Sequence, residues 1–151
     1  MHRKDMIALV DEAKALAHRA HAGQVDKAGR PYIEHVARVA AAVTGDPEAE
    51  AVAWLHDVLE DAPEFNEEFW SFPAAVTRQV HYLTRVPGQD APSYYKRICE
   101  HPIALQVKLA DIADNSSETR LQLLDPSTAA RLRRKYARAL LAQGKLQHRT
   151  G

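Results

Sequence analysis

Apolar residues recur at spacings of three and four along almost the whole chain, and no segment alternates apolar and polar residues as a half-buried strand does. This pattern predicts an all-α fold, a compact bundle of several helices. Prolines mark where helices start, because proline suits the first turn and keeps the residue before it out of the helical region. The predicted helices cover 4–22, 31–44, 47–61, 73–84, 91–100, 102–117 and 127–143, with a short helical turn near 65–71.

Length and composition limit the classes of function. A chain of 151 residues with 46% hydrophobic residues suits one globular domain, predicted over 1–151. Twenty basic residues balance twenty acidic ones, so no net charge favours nucleic acid or a membrane as the partner. The N-terminus lacks the apolar run of a signal peptide, and no stretch resembles a membrane span. The single cysteine, Cys99, is expected to be an inert thiol rather than a nucleophile. We therefore expect a cytoplasmic protein.

Two predicted helices carry unusual polar residues. In AVAWLHDVLEDA at 51–62, a histidine and three carboxylates share one helix face, typical either of a solvated face or of a site for a divalent cation. In the apolar helix 102–117, Lys108, Asp111 and Asn115 form one narrow stripe. Because a buried carboxylate needs a partner, Asp111 binds either a metal or Lys108.

A third candidate lies in AGRPYIEHVARVAAAV at 28–43, where His35 stands at the edge of the apolar helix face. A histidine in that position suits either a core residue with its hydrogen bonds satisfied or a metal ligand. Periodicity alone does not decide between the two.

Together these residues resemble a known family. His35, the adjacent pair His56-Asp57, and Asp111 follow the H…HD…D order of the HD phosphohydrolase superfamily. More narrowly, the chain resembles the hydrolase domain of RelA/SpoT proteins and the small alarmone hydrolases. Three strings carry the likeness, namely AHAGQVDKAGRPYIEHVARVA at 20–40, AWLHDVLEDA at 53–62 and VKLADIADN at 107–115.

The resemblance implies an HD-domain fold, a site and a reaction. One divalent cation, most often Mn²⁺ in the family, would bind to His35, His56, Asp57 and Asp111, and Glu60 and Asp61 would position or deprotonate the attacking water. The substrate would be a small nucleotide bearing a 3′-pyrophosphate, which is released as pyrophosphate. Residues matching the family's substrate contacts are Lys27, Lys108 and Asn115.

Departures from the family fall around the base. Relatives that hydrolyse the guanosine alarmone usually read R-K-S-G in the loop, whereas this chain reads Asp26-Lys27-Ala28-Gly29, and Ile112 replaces a second arginine. Losing a stacking cation and gaining a carboxylate changes how Asp26 meets a base. The metal site is thus predicted intact and the base pocket altered, which favours an adenosine alarmone or a narrower range of nucleotides.

The last predicted helix carries a basic run, Arg131, Arg133, Arg134, Lys135 and Arg138. It is typical of a solvated face, but it also suits positive charge near substrate phosphates, with Tyr136 adding a ring or hydroxyl. Nucleic-acid binding is the third reading, and it is disfavoured by the neutral overall charge. Two alternative functions remain for the chain as a whole. One is a general HD-type nucleotide phosphatase, and the other is a metal- or nucleotide-binding regulatory module without turnover.

Overall fold

The protein is built from helices, as the spacing of apolar residues predicts. Its structure, a computed structural model, describes the backbone of residues 3–150 and the side chains of residues 4–141. The α-helices are α1 (Arg3–Ala20), α2 (Tyr32–Ala41), α3 (Pro47–Leu55), α4 (Val58–Asp61), α5 (Asn66–Trp70), α6 (Ala74–Leu83), α7 (Ala91–Cys99), α8 (Pro102–Asn115), α9 (Glu118–Leu121) and α10 (Pro126–Thr150), with a 3₁₀ turn at Pro63–Phe65. Within the described residues, the only β-type pairing is one isolated bridge between Val25 and Pro31, and no helix is long and apolar enough to cross a membrane.

The predicted helix 47–61 is wrong in one respect, because it is broken in the middle. Helix α3 ends at Leu55, and α4 begins at Val58. Between them the backbone of Asp57 lies at φ −108° and ψ 0°, outside the regular helical geometry. Apolar spacing continues on both sides of the break, so periodicity does not reveal it.

Helix α3 is the centre of the core. It packs against α1, α2, α6 and α8, and residues 51–53 and Leu55 are completely buried. A helix that is apolar on every side belongs in the interior. Its start is fixed by Asp46, whose carboxylate accepts hydrogen bonds from the backbone N–H groups of Glu48 and Ala49.

The packing of α2 and α8 on α3 positions the polar residues. Helices α2 and α8 each contact α3 and also each other, so their polar residues meet beside the end of α3. A separate small apolar cluster joins α9 to α10 through Leu121, Ala129 and Leu132. Helix α9, which the sequence pattern did not predict, follows the C-terminal end of α8 directly and contacts it.

Candidate metal centre and active site

The four predicted metal ligands converge from three directions. His35 comes from α2, His56 and Asp57 lie at the break after α3, and Asp111 comes from α8. Ligand atoms of His35, His56 and Asp57 all lie within 4.8 Å of one another. The Asp111 Oδ1 atom is 3.0 Å from His35 Nε2 and 3.5 Å from His56 Nε2. His35, His56 and Asp57 can therefore face one ion, with Asp111 beside both imidazoles, and the role of all four as ligands stays a prediction.

The tautomer of His56 suits metal binding. Its Nδ1–H donates to the backbone oxygen of Ala53 at 2.6 Å, so in the neutral ring Nε2 directs a lone pair into the cluster. That Nε2 atom is buried and makes no hydrogen bond within the described part of the chain, although Asp57 Oδ2 lies 3.0 Å away. A buried lone pair without a donor, beside a carboxylate, fits a cation.

His35 supports the same conclusion. Its Nδ1–H donates to Asp114 Oδ2 at 2.6 Å, which turns Nε2 toward Asp111 Oδ1 at 3.0 Å. In a neutral imidazole these last two atoms are both acceptors, so the approach is favourable only with a proton or a cation between them. Two imidazole nitrogens with two carboxylates form a donor set that fits a divalent transition metal. Asp114 takes the orienting position that metal-binding histidines commonly have beside them.

The charges of the cluster shift its pKa values. Burial alone would lower the pKa of His35 and His56. Hydrogen bonds to Asp111 and Asp114 nevertheless raise the pKa of His35, and the charges of Asp57 and Asp111 raise that of His56. Burial opposes ionisation of Asp111, yet its contacts with the histidines and Lys108 hold its pKa well below the usual range. The carboxylates are thus ionised at neutral pH, as metal binding requires.

Asp111 also binds polar neighbours on its own helix. Lys108 Nζ lies 3.3 Å from Oδ2, and Asn115 Nδ2 donates to Oδ1 at 3.1 Å. The ion pair considered as an alternative to a metal therefore coexists with the histidine contacts. The Lys108 ammonium also lies 5.4 Å from the centre of the Tyr94 ring, and although burial alone would lower its pKa, Asp111 holds that pKa above the usual value.

The acidic pair lies on α4, directly after the break. Glu60 accepts a hydrogen bond from the backbone N–H of Arg85 at 3.0 Å, and Asp61 accepts one from the Gln24 side chain at 3.1 Å. Both side chains are solvent-exposed, yet the surrounding protein removes enough water to raise the pKa of each carboxyl, and the charge of Asp57 adds to the effect. Raised carboxyl pKa values suit groups that accept a proton from water.

Three other residues of the site were not among those predicted from the sequence. Tyr32 donates a short hydrogen bond to Asp57, and burial raises the pKa of Tyr32, which keeps its hydroxyl protonated. Asp114 orients His35, and Arg120 contacts Asp114 from α9. Tyr32 lies within the GRPYIEH string and Asp114 within the polar end of α8, but no spacing or motif identifies Arg120.

A cavity of about 850 Å³ opens beside the cluster. Four of the five predicted substrate contacts line it, namely Asp26, Lys27, Asn115 and Tyr136. The fifth, Lys108, is not in its lining and lies instead beside Asp111. Because Tyr32 and Asn115 line the cavity and also bond to Asp57 and Asp111, the cavity adjoins the candidate metal centre.

The carboxylate of Asp26 is engaged within the protein. Its Oδ1 atom accepts hydrogen bonds from the backbone N–H groups of Ala28 and Arg30, and Oδ2 accepts one from Arg120 at 3.0 Å. Burial would raise its pKa, but these donors lower it. That Asp26 accepts a hydrogen bond from a base stays a prediction, and this geometry leaves the carboxylate few free acceptor positions.

The basic run of α10 does not act as one patch. Arg133 forms a surface ion pair with Glu118, while Lys135 and Tyr136 line the cavity. Partial burial and the nearby charges of Lys27 and Lys108 lower the pKa of Lys135, which indicates positive potential beside the cavity. Cys99 on α7 is half-buried, and burial raises the pKa of its thiol, as expected for an inert cysteine.

Comparison with known proteins places these features in a family. No family model matches the chain. The bifunctional (p)ppGpp synthase/hydrolase SpoT of Escherichia coli K12 is 30% identical over 161 residues, an alignment that covers 98% of this chain and 22% of SpoT. The guanosine-3′,5′-bis(diphosphate) 3′-pyrophosphohydrolase of Haemophilus influenzae is 33% identical over 117 residues, covering 70% of this chain and 17% of that protein. This chain belongs to the HD-domain RelA/SpoT hydrolase family.

The fold of that family is also found in a solved structure. The structure is described as a metazoan ortholog of SpoT that hydrolyzes ppGpp and plays a role in starvation responses. It matches with a TM-score of 0.63 and 22% identity, over 95% of this chain and 96% of that one. The chain spans about a fifth of the length of the curated relatives it matches. Membership implies a divalent metal, and the group of His35, His56 and Asp57 offers a place for one.

Proposed function

We propose that this chain, as one HD hydrolase domain over 1–151, is a metal-dependent hydrolase of nucleoside 3′-pyrophosphates of the (p)ppGpp and (p)ppApp type, releasing pyrophosphate. The observation that carries the proposal is the convergence of His35, His56, Asp57 and Asp111, with both Nε2 atoms directed at carboxylates. The names of the relatives support the type of reaction, because the proteins from E. coli and H. influenzae are named as hydrolases of the guanosine compounds of this class.

The four side chains would hold the cation, which we propose is Mn²⁺. When bound, such an ion would supply Lewis-acid chemistry, polarising a phosphoryl oxygen and making the attacking water easier to deprotonate. Glu60 and Asp61, with their raised pKa values, would orient the attacking water and accept its proton. Lys108, paired with Asp111, would add positive charge near the reacting phosphates.

The nucleoside would lie in the cavity of about 850 Å³, with Lys27, Asn115 and Tyr136 in its wall. The loop offers no free guanidinium at position 26 to stack on a purine, because Asp26 stands there and pairs with Arg120. We therefore propose that adenosine 3′-pyrophosphates are preferred and guanosine ones are weak substrates. Each missing base contact corresponds to about tenfold to a hundredfold in kcat/KM.

The decisive experiment is turnover of guanosine and adenosine 3′-pyrophosphates with Mn²⁺, alongside 5′-nucleotides and with chelator as the blank. We expect pyrophosphate release from the 3′-pyrophosphates alone, abolished by Asp57→Asn. Release of phosphate from 5′-nucleotides would instead indicate the general phosphatase. Binding of Mn²⁺ and nucleotide without turnover would indicate the regulatory module. Equal or higher kcat/KM for guanosine substrates would refute the base preference and leave the metal site unaffected.

A further inference from the structure

Arg120 connects two parts of the site that are distant in sequence. It lies on the short helix α9, and 19% of its side chain is exposed, between the loop 24–31 and helix α8. Its guanidinium hydrogen-bonds to Asp26 in the loop and to Asp114 and Asn115 on α8. Asp114 and Asn115 lie six and five residues before Arg120, whereas Asp26 lies 94 residues before it, so the contact with the loop comes from the tertiary fold.

On the α8 side, Arg120 lies beside one predicted metal ligand and bonds to two groups that contact the ligands. Its Nη1 atom is 3.1 Å from His35 Nδ1. Its Nη1 atom donates to Asp114 Oδ2 at 2.8 Å, and the same oxygen accepts the Nδ1–H of His35. Nη1 also donates to Asn115 Oδ1 at 2.9 Å, which leaves the amide nitrogen of Asn115 directed at Asp111. Without Arg120 the amide of Asn115 loses the donor that fixes its orientation.

On the loop side, Arg120 holds a turn that Asp26 closes. Nη2 donates to Asp26 Oδ2 at 3.0 Å, while Oδ1 of the same carboxylate accepts two backbone N–H groups within the loop. This turn carries Lys27, which lines the cavity. The two arms of a planar guanidinium can bind both sides at once, which the single ammonium of a lysine does not reproduce.

We propose that Arg120 is a positioning residue that ties the loop 24–31 to the candidate metal centre, by holding Asp26 on one arm and Asp114 with Asn115 on the other. Loop order and metal affinity are then coupled through one side chain. The metal half of the proposal rests on the proposed function, whereas the loop half rests on the hydrogen bonds alone.

The chain offers matched control variants. Arg38 also binds Asp114, at 2.6 Å through Nε, but forms no contact with the loop through Asp26. Arg133 on α10 forms a surface ion pair with Glu118, which lies on the same short helix, α9, as Arg120. Arg38→Gln therefore removes a hydrogen bond to Asp114 without affecting Asp26. Arg133→Gln removes an arginine–glutamate ion pair next to α9 that does not involve the site.

The metal half is tested by calorimetric titration of the full chain with Mn²⁺. Removing a residue that hydrogen-bonds to metal ligands typically weakens metal binding about tenfold to a hundredfold. We expect the Mn²⁺ dissociation constant to rise by that factor in Arg120→Gln. It should not change in Arg133→Gln. Arg120→Lys should recover less than half of the loss on a logarithmic scale. A dissociation constant for Arg120→Gln within twofold of that for Arg133→Gln would overturn this half.

The loop half is tested by trypsin cleavage of the Lys27–Ala28 bond, followed by mass spectrometry of the released peptides. Proteolysis follows the population of the opened loop, so Arg120→Gln and Asp26→Asn should each speed this cleavage about tenfold, and the double variant no further. Arg38→Gln should cleave as the unaltered protein does. Additive effects of Arg120→Gln and Asp26→Asn, or no effect of either, would overturn the loop half.

The outcomes separate this proposal from the proposed function. If the unaltered chain binds Mn²⁺ but hydrolyses no 3′-pyrophosphate, the function fails while both halves remain testable. If it binds no Mn²⁺, the metal half fails with the function, and the trypsin result still decides the loop half. Should Arg120→Gln not fold by circular dichroism, Asp26→Asn alone must show faster cleavage and weaker Mn²⁺ binding, and unchanged values would overturn the proposal.

Discussion

At the scale of single residues, each histidine of the centre has one ring nitrogen committed to the protein and one directed inward. His56 commits Nδ1 to Ala53, and His35 commits Nδ1 to Asp114. The partners differ in charge, because one is a backbone carbonyl and the other a carboxylate. A carboxylate partner raises the basicity of the ring more, so His35 should be the stronger donor of the two.

Mutations of the acidic pair, Glu60 and Asp61, should affect the enzyme differently from mutation of the predicted metal ligand Asp57. We expect Glu60→Gln or Asp61→Asn to lower turnover by roughly 10²–10⁴-fold while Mn²⁺ binding stays nearly unchanged, because these side chains act on water. Asp57→Asn should weaken both, because Asp57 lies beside His56 Nε2. The measurements are steady-state kinetics and calorimetry on the same preparations. Loss of Mn²⁺ by the Glu60 and Asp61 variants as severe as that by Asp57→Asn would contradict this division of roles.

The residue types and their order predict the candidate ligands but not the residues that orient them. The H…HD…D order identifies four side chains that the fold brings together. Arg120 lies in NSSETRLQ, where nothing in composition or period distinguishes it from a surface arginine. Its importance arises from contact with Asp26, 94 positions earlier in the chain, which local pattern does not encode.

At the scale of elements, capping residues fix where helices begin, and α3 depends on Asp46. Replacing an N-cap aspartate by alanine usually costs about 0.5–2 kcal/mol, so Asp46→Ala should lower the free energy of unfolding by about 1 kcal/mol. Asp46→Asn keeps a side-chain acceptor and serves as the control. Urea unfolding followed by circular dichroism measures both. Equal losses for the alanine and asparagine variants would show that the carboxylate stabilises α3 by its charge rather than as a cap.

Helix starts were predictable where proline marks them, and the break at His56–Asp57 was not. Helices α3, α8 and α10 all begin at a proline. The break has no such marker, and the side chains of the two residues there are held by one tertiary and one local hydrogen bond. Asp57 is held by the Tyr32 hydroxyl, and His56 by the carbonyl of Ala53.

At the scale of the whole molecule, the chain carries no net charge, but its site concentrates carboxylates with lowered pKa values. Asp114, bonded to His35 and Arg38, has its pKa lowered to about 2 against the opposing effect of burial. A lowered folded-state pKa gives stability that is present above the unfolded value and lost as pH falls through the folded one. We expect the urea midpoint to fall between about pH 4 and pH 2.

Asp114→Asn tests this acid dependence. It should be less stable than the unaltered chain at pH 6, by roughly 1–2 kcal/mol, and the difference should shrink as pH approaches 2. Asp11→Asn, which removes an exposed carboxylate from the surface of α1, is the control for a general change of charge. A constant difference between Asp114→Asn and the unaltered chain across this range would contradict the assignment.

The two histidines predict opposite pH trends for the metal-free and metal-bound protein. The pKa values of His35 and His56 are raised above the ordinary value by neighbouring carboxylates. A raised folded-state pKa gives stability that is fully present below the unfolded value, about 6.5, and is lost as pH rises through the folded value. The metal-free protein, measured with chelator, should therefore lose stability above about pH 6.5.

Mn²⁺ needs the neutral rings and competes with the same protons, so its affinity should increase as pH rises above about 6.5, with up to two protons released per ion. Urea midpoints and calorimetry in buffers of different ionisation enthalpy measure the two trends, with His81→Gln, a surface histidine on α6, as the control. A metal-free stability that rises with pH, or Mn²⁺ binding without proton release, would show that the histidines are neutral before the ion arrives.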